Sequence, residues 1–144
     1  MLKRFFSSDE ISVDFGLLLL RIGIGLSVVI FHGYDKLTGG PESWARIGAN
    51  MANLHITWYP AFWGFMAGFA EGICSCLLIL GLLFRPATLL LAFTMFVAAM
   101  HHLHLPEGAP NAGFRGAAHA LELMSVYSCL FFTGPGKFSL TPRR

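Results

Sequence analysis

Four long apolar stretches divided by short turn-forming segments organise this 144-residue chain. The first, Leu17 to Leu37, is a membrane-length run that nonetheless carries Arg21, His32, Asp35 and Lys36. A spanning helix needs about 20 predominantly apolar residues, and the pattern predicts spans near residues 14–35, 59–84, 86–103 and 115–133. Gly39, Gly40 and Pro41 stop the first run. Arg85-Pro86 divides the second from the third, and the two prolines and two glycines of LPEGAPNAGF separate the third from the fourth. Between the first two spans, Trp44, Ile47, Met51 and Leu54 recur at helical spacing opposite Glu42, Arg46 and Asn53. That spacing predicts an amphipathic helix near 41–55. It would lie in the membrane surface with Trp44, Trp58 and Tyr59 as anchors, or cap the bundle.

The fold class expected is therefore all-α, an integral membrane four-helix up-and-down bundle forming one domain over residues 1–144. Composition agrees: 55% of residues are hydrophobic and 12% charged, with a mean hydropathy of +0.62, too apolar for an ordinary soluble domain. The net charge of +2 forms no dense basic patch, which argues against a nucleic-acid partner. Cys74, Cys76 and Cys129 fall inside apolar runs and read as packing residues, not as a disulfide framework or redox pair. The polar start carrying Lys3, Arg4, Asp9 and Glu10 has no small-x-small cleavage site after it and is expected to be retained. With the N-terminus inside, Lys3, Arg4, Arg85, Lys137, Arg143 and Arg144 are cytoplasmic, against Lys36, Arg46 and Arg115 outside. Both termini are expected in the cytoplasm.

Charge inside hydrocarbon is costly, about 2.5 kcal/mol or more per ionised group, so intramembrane polar residues face partners or cavities. Arg21 and His32, eleven positions apart, share a helical face. Gly64, Gly68 and Gly72 recur at four-residue steps beside Glu71, so the acid points into a close helix contact. Counted down from Tyr34 and Tyr59, Arg21 and Glu71 lie at one depth and are expected to pair. A second, outer layer holds His32, His101 with its neighbours His102 and His104, and His119 with Glu122. Imidazole and carboxylate at one level can bind a metal, relay protons or hydrogen-bond a quinone head group. His102 points about 100° away from His101 and is expected to face elsewhere.

Arg21, the segment HGYDKL from His32 to Leu37, EGICSCLLILGLLFRP around Glu71 and Arg85, and the GPGKFSL ending together resemble the DoxX family of small bacterial membrane proteins. The resemblance spans about Leu17 to Leu140. It implies a four-helix bundle in the bacterial inner membrane, linked to oxidoreductases as the membrane subunit of a quinone-reducing thiosulfate dehydrogenase or as partner in a membrane redox complex. The family's motif residues correspond to Arg21, His32, Lys36 and Glu71.

Three readings follow. In the first, the chain is a redox-associated subunit with a quinone or similar small molecule in a polar cavity of the outer half. His32, His101, His119 and Glu122 then do the proton chemistry, and Arg21, Lys36 and Glu71 join them as cofactor-binding residues. No haem, flavin, nucleotide or iron–sulfur motif is present, so electrons come from a partner protein or a small reductant. In the second, the chain is a noncatalytic anchor or small-molecule carrier. A metal-binding histidine layer is a third reading, and the glycine face leaves a homo-oligomer open.

Overall fold

The computed structural model describes residues 12 to 141. The residues expected to form the polar leader, Lys3, Arg4, Asp9 and Glu10, lie outside the described residues. Among the described residues the chain is helical with no strand. Ser12 opens α1 (Val13–Thr38) by accepting the Phe15 N–H, which satisfies one of the first-turn donors. α1 contains a π-helical turn at Val29–Gly33 and breaks at Gly39-Gly40. α2 (Gly40–Gly48) follows at once and passes into a 3₁₀ turn, Ala49–Leu54, which ends at left-handed His55. α3 (Pro60–Leu80) starts with proline in its first turn and holds a second π turn at Ala70–Cys74. α4 (Phe84–His104) and α5 (Gly113–Thr133) are each 21 residues long.

The second apolar run, expected to 84, stops at Leu80. Gly81 adopts φ 70°, its N–H bonds Leu78 O, and Leu82 N–H bonds Leu77 O, the paired bonds of a glycine helix stop. Pro86 sits inside the first turn of α4, where its missing N–H costs nothing, and so does not mark the break.

Antiparallel α1 and α3 meet through glycines. Gly25 abuts Ser75 and Ile79, Gly33 abuts Glu71 and Gly72, Gly68 abuts Lys36 and Leu37, and Gly81 abuts Arg21. Segment 40–48, expected on the membrane surface or as a cap, runs antiparallel along the first half of α3. There Gly48 lies against Pro60 and Gly64 against Trp44, so closely that a Cβ at either would overlap the facing backbone. Trp44 Nε1 donates to Lys36 O at 2.7 Å, which ties α2 back to α1. α4 and α5 pack face to face through Ala87, Leu91, Met95 and Ala99 on one side and Ala117, Ala120, Leu123, Tyr127 and Leu130 on the other. Val28, Cys74 and Leu78 complete this core.

α1, α3 and α4 are long and apolar enough to cross a membrane. Their outward residues are large and apolar: Leu19, Ile22, Leu26, Ile30 and Phe31 on α1, with Leu89, Phe93 and Phe96 on α4. An aqueous surface would not carry so much contiguous apolar area, whereas acyl chains match it.

Candidate functional site

The two π turns face each other across the α1–α3 contact. A π turn widens a helix by one inserted residue and re-aims the side chains around it. The α1 turn carries His32 and Gly33, and the α3 turn carries Glu71. Glycine is required at 33 because a Cβ there would come to 2.5 Å from the Glu71 carbonyl oxygen. One helical step further, Lys36 turns onto the same contact. Its ammonium donates to Glu71 Oε1 at 2.8 Å and lies 2.6 Å from Oε2. Glu71 is buried, while the Lys36 side chain keeps 31% of its exposure. Oε2 accepts no directed hydrogen bond despite the ammonium's proximity. The pair therefore retains an acceptor, and a lysine carries two further N–H donors.

Arg21 does not pair with Glu71, contrary to the depth argument. Glu71 lies level with Gly33 and Arg21 with Gly81, some 12 residues or about 18 Å apart along α1. The depth argument set Tyr34 and Tyr59 side by side. In the observed register Tyr34 lies opposite residues 68–72, and α2 occupies the space beside the α3 residues above them. Arg21 is fully buried and donates instead to the Phe138 carbonyl of the C-terminal segment, with its guanidinium 6.0 Å from the Phe84 ring centre. The same segment is held by Lys137 N–H to Asp14 Oδ1 at 2.8 Å and Leu140 N–H to Leu80 O at 3.0 Å. Arg21 thus binds the GPGKFSL ending to the bundle.

The histidines divide into two groups. His32 and His119 have ring centres 5.9 Å apart, and His32 shares its π turn with the Gly33 that abuts Glu71. Both imidazoles are exposed on the outside of the chain, as is Glu122. His101 is half-buried at the end of α4 beside His102, ring centres 5.4 Å apart. His102 Nδ1 meets Asn111 O at 2.9 Å and His104 Nδ1 meets Met100 O at 2.8 Å, as helix-end capping contacts do. Of His32, His101, His119 and Glu122, the structure brings the first and third into contact. Among the described residues no three His, Cys, Asp or Glu side chains gather to hold a metal ion.

Sequence reasoning missed the cavity above the ion pair. A space of about 120 Å³ lies between α2, α3 and α4, lined by Met51, Trp63, Met66, Phe93 and Val97, with Lys36 and Glu71 at one side. It also missed Tyr127, which is fully buried, sits within electrostatic reach of Glu71, and has a hydroxyl without a hydrogen-bond partner. A lone tyrosine in an apolar run gives no signal. Lys36, in contrast, stood in the HGYDKL motif and among the expected cofactor-binding residues, and the pairing of Glu71 with Arg21 hid its partner.

No match was found among curated proteins or among solved structures. Residues 16–105, which include the ion pair, both π turns and the α1–α3–α4 contacts around the cavity, match the DoxX family model, and the chain belongs to the DoxX family.

Proposed function

We propose that this chain holds the ring of a quinone, or of a similar small molecule, in the cavity at Lys36 and Glu71, as the membrane subunit of a redox assembly in the bacterial inner membrane. In this reading α5 is a fourth spanning helix and both termini are cytoplasmic. The observation that carries the proposal is a buried carboxylate ion-paired to a part-exposed ammonium, both lining a mostly apolar space to which Asn50 and Thr94 add two neutral polar groups, the usual composition of a small-molecule site. At about 120 Å³ the space is near the roughly 150 Å³ of an apolar protein cavity that takes benzene, so it admits one ring and leaves any isoprenoid tail outside.

The two polar groups suit both forms of the couple. A quinone carbonyl oxygen accepts from a Lys36 N–H, and that bond strengthens as reduction puts charge on the oxygen. A hydroquinone O–H donates to Glu71 Oε2, which can take the proton when the ring is oxidised. When the ring is oxidised two electrons pass to a partner protein and two protons leave by way of Glu71 toward the exposed imidazoles of His32 and His119, and reduction reverses both. This moves the head group from the outer layer, with His101 and Glu122, to the Lys36–Glu71 level. Arg21 then supports the fold.

Lipid extracts of the purified protein, resolved by mass spectrometry, test the reading. Quinone should co-purify with the unaltered chain and fall roughly tenfold or more in Lys36→Met and in Glu71→Gln, since a hydrogen bond to a charged group contributes about 1.5–3 kcal/mol. The double variant, which leaves no unpaired charge, should fold and remain empty. Quinone retained in the double variant would move the site elsewhere. Binding of redox-inert ring compounds with equal affinity would favour the noncatalytic carrier.

A further inference from the structure

Around the Glu71 carboxylate the core holds more polar atoms than the protein itself satisfies. Glu71 Oε2, Ser75 Oγ and the Tyr127 hydroxyl are buried and accept or donate no hydrogen bond among the described residues. Glu71 and Ser75 share one face of α3, a turn or about 6 Å apart along its axis. Tyr127 comes within electrostatic reach of Glu71 from α5, a helix that packs along α4 and stands off α3. The Ser75 hydroxyl is free for a local reason. Thr88, Thr94, Ser125 and Ser128 each donate to the carbonyl four residues back, at 2.7 to 2.9 Å. For Ser75 that carbonyl belongs to Glu71, inside the π turn Ala70–Cys74, whose wider coil takes it out of bonding position. The turn that aims Glu71 thus also leaves a hydroxyl beside it unspent.

We infer that Glu71, Ser75 and Tyr127 bind one internal water, and that the two hydroxyls are thereby positioning residues for the carboxylate. A buried ion pair offsets its loss of hydration only when its remaining lone pairs are also hydrogen-bonded, and internal waters make about three bonds to polar groups left unsatisfied by the protein. Tyr127 O–H and Ser75 O–H donate to the water oxygen, and the water donates one O–H to Glu71 Oε2. The chemistry of the set selects water over an ion. Two neutral hydroxyls and a carboxylate already paired with Lys36 offer little to a cation, and the carboxylate repels an anion. Neither Ser75 nor Tyr127 lines the cavity, so the water supports Oε2 from the core while Oε1 stays on Lys36. A carboxylate has about four acceptor positions, so the water and a ring O–H fit on Glu71 together. That last use alone rests on the ligand reading.

Solid-state NMR of the full chain in lipid bilayers is the test, with isotope label at tyrosine Cζ, the glutamate carboxyl carbon and the leucine methyls. Tyr34, Tyr59 and Tyr127 are the three tyrosines, so Tyr127→Phe identifies its resonance by loss, as Glu71→Gln does for Glu71. Magnetisation transferred from water protons should reach Tyr127 Cζ at least fivefold faster than the Leu78 methyls, although both residues are fully buried. Ser75→Ala, which fits the same space, should slow that transfer severalfold and shift the Glu71 carboxyl resonance. Tyr127→Phe, which keeps the ring in the core, should shift the same resonance, whereas Tyr59→Phe should not. Transfer to Tyr127 as slow as to Leu78 would mean a dry core and overturn the inference. So would rapid transfer indifferent to Ser75→Ala, or a Glu71 resonance unmoved by both hydroxyl deletions, which would reduce Tyr127 and Ser75 to packing. None of these signals needs a bound ring, so failure here and failure to recover quinone are separate results.

Discussion

Lys36 Nζ lies 2.8 Å from one carboxylate oxygen of Glu71 and 2.6 Å from the other, whereas Arg21, the stronger cation on the same helix, contacts Gly81 and Phe138. Helix register decides this choice of partner. Glu71→Gln or Lys36→Met alone should destabilise the protein by about 3 kcal/mol, the lower end of the range for breaking a buried pair, because the lysine keeps some solvent contact. The double variant should lose clearly less than the sum. Arg21→Met combined with Glu71→Gln should be additive. Thermal unfolding in detergent over both cycles checks the assignment, and coupling between Arg21 and Glu71 instead of Lys36 and Glu71 would contradict it.

The contact that sets this register can be tested without touching a charge. Gly33→Ala places a methyl 2.5 Å from the Glu71 carbonyl oxygen, with backbone on both sides and no flexible side chain to yield. Overpacking of this kind costs about 1–3 kcal/mol. Gly23→Ala, on the same helix with nothing within 4 Å, should be neutral or stabilising by up to about 1 kcal/mol through helix propensity. Equal effects of the two substitutions would mean that α1 and α3 do not meet at Gly33.

The helices were legible because apolar runs, glycine stops and prolines act locally. The stop at Gly81 was misread in favour of Arg85-Pro86 because proline in the first turn of a helix and proline ending one look alike in sequence. Gly68 and Gly72 announced the close contact with α1 beside Glu71, while Gly64 at the same spacing admits the backbone of α2 at Trp44. The partner was not legible. Which cation reaches Glu71 depends on how far α3 slides along α1, and that is set by α2 filling the space beside Gly64, a tertiary fact with no local signature. The histidine layer split as well: His101 lies in the last turn of α4 beside His102, while His32 belongs to the π turn facing Glu71.

Arg21 and the C-terminal segment form a second separable unit. Its guanidinium holds the Phe138 carbonyl, and Asp14 holds Lys137 through both its backbone N–H at 2.8 Å and its ammonium at 3.4 Å. A hydrogen bond from a charged donor contributes about 1.5–3 kcal/mol, so Arg21→Met should release the segment. Trypsin cleavage after Lys137 in detergent micelles should then run roughly tenfold or more faster, while Lys36→Met leaves that rate unchanged. A cleavage rate indifferent to Arg21 would return the arginine to another role.

Filling the cavity separates its function from the charges beside it. Ala67 and Ala98 line the space from α3 and α4, and neither contributes a polar group. Ala98→Phe would put a ring where the proposed ligand ring sits. Filling a space of about 120 Å³ would gain at most about 3 kcal/mol at roughly 24 cal/mol per Å³ if it were sealed, and less because it is partly open, so a side chain that fits should hold or raise the unfolding temperature. Lys36 and Glu71 keep their bridge in this variant, and insertion in the membrane is unaffected. Ligand recovery should nonetheless fall by the full amount seen with Lys36→Met. A stable Ala98→Phe protein that still carries its quinone would show that the ring lies outside this space, whatever the ion pair contributes.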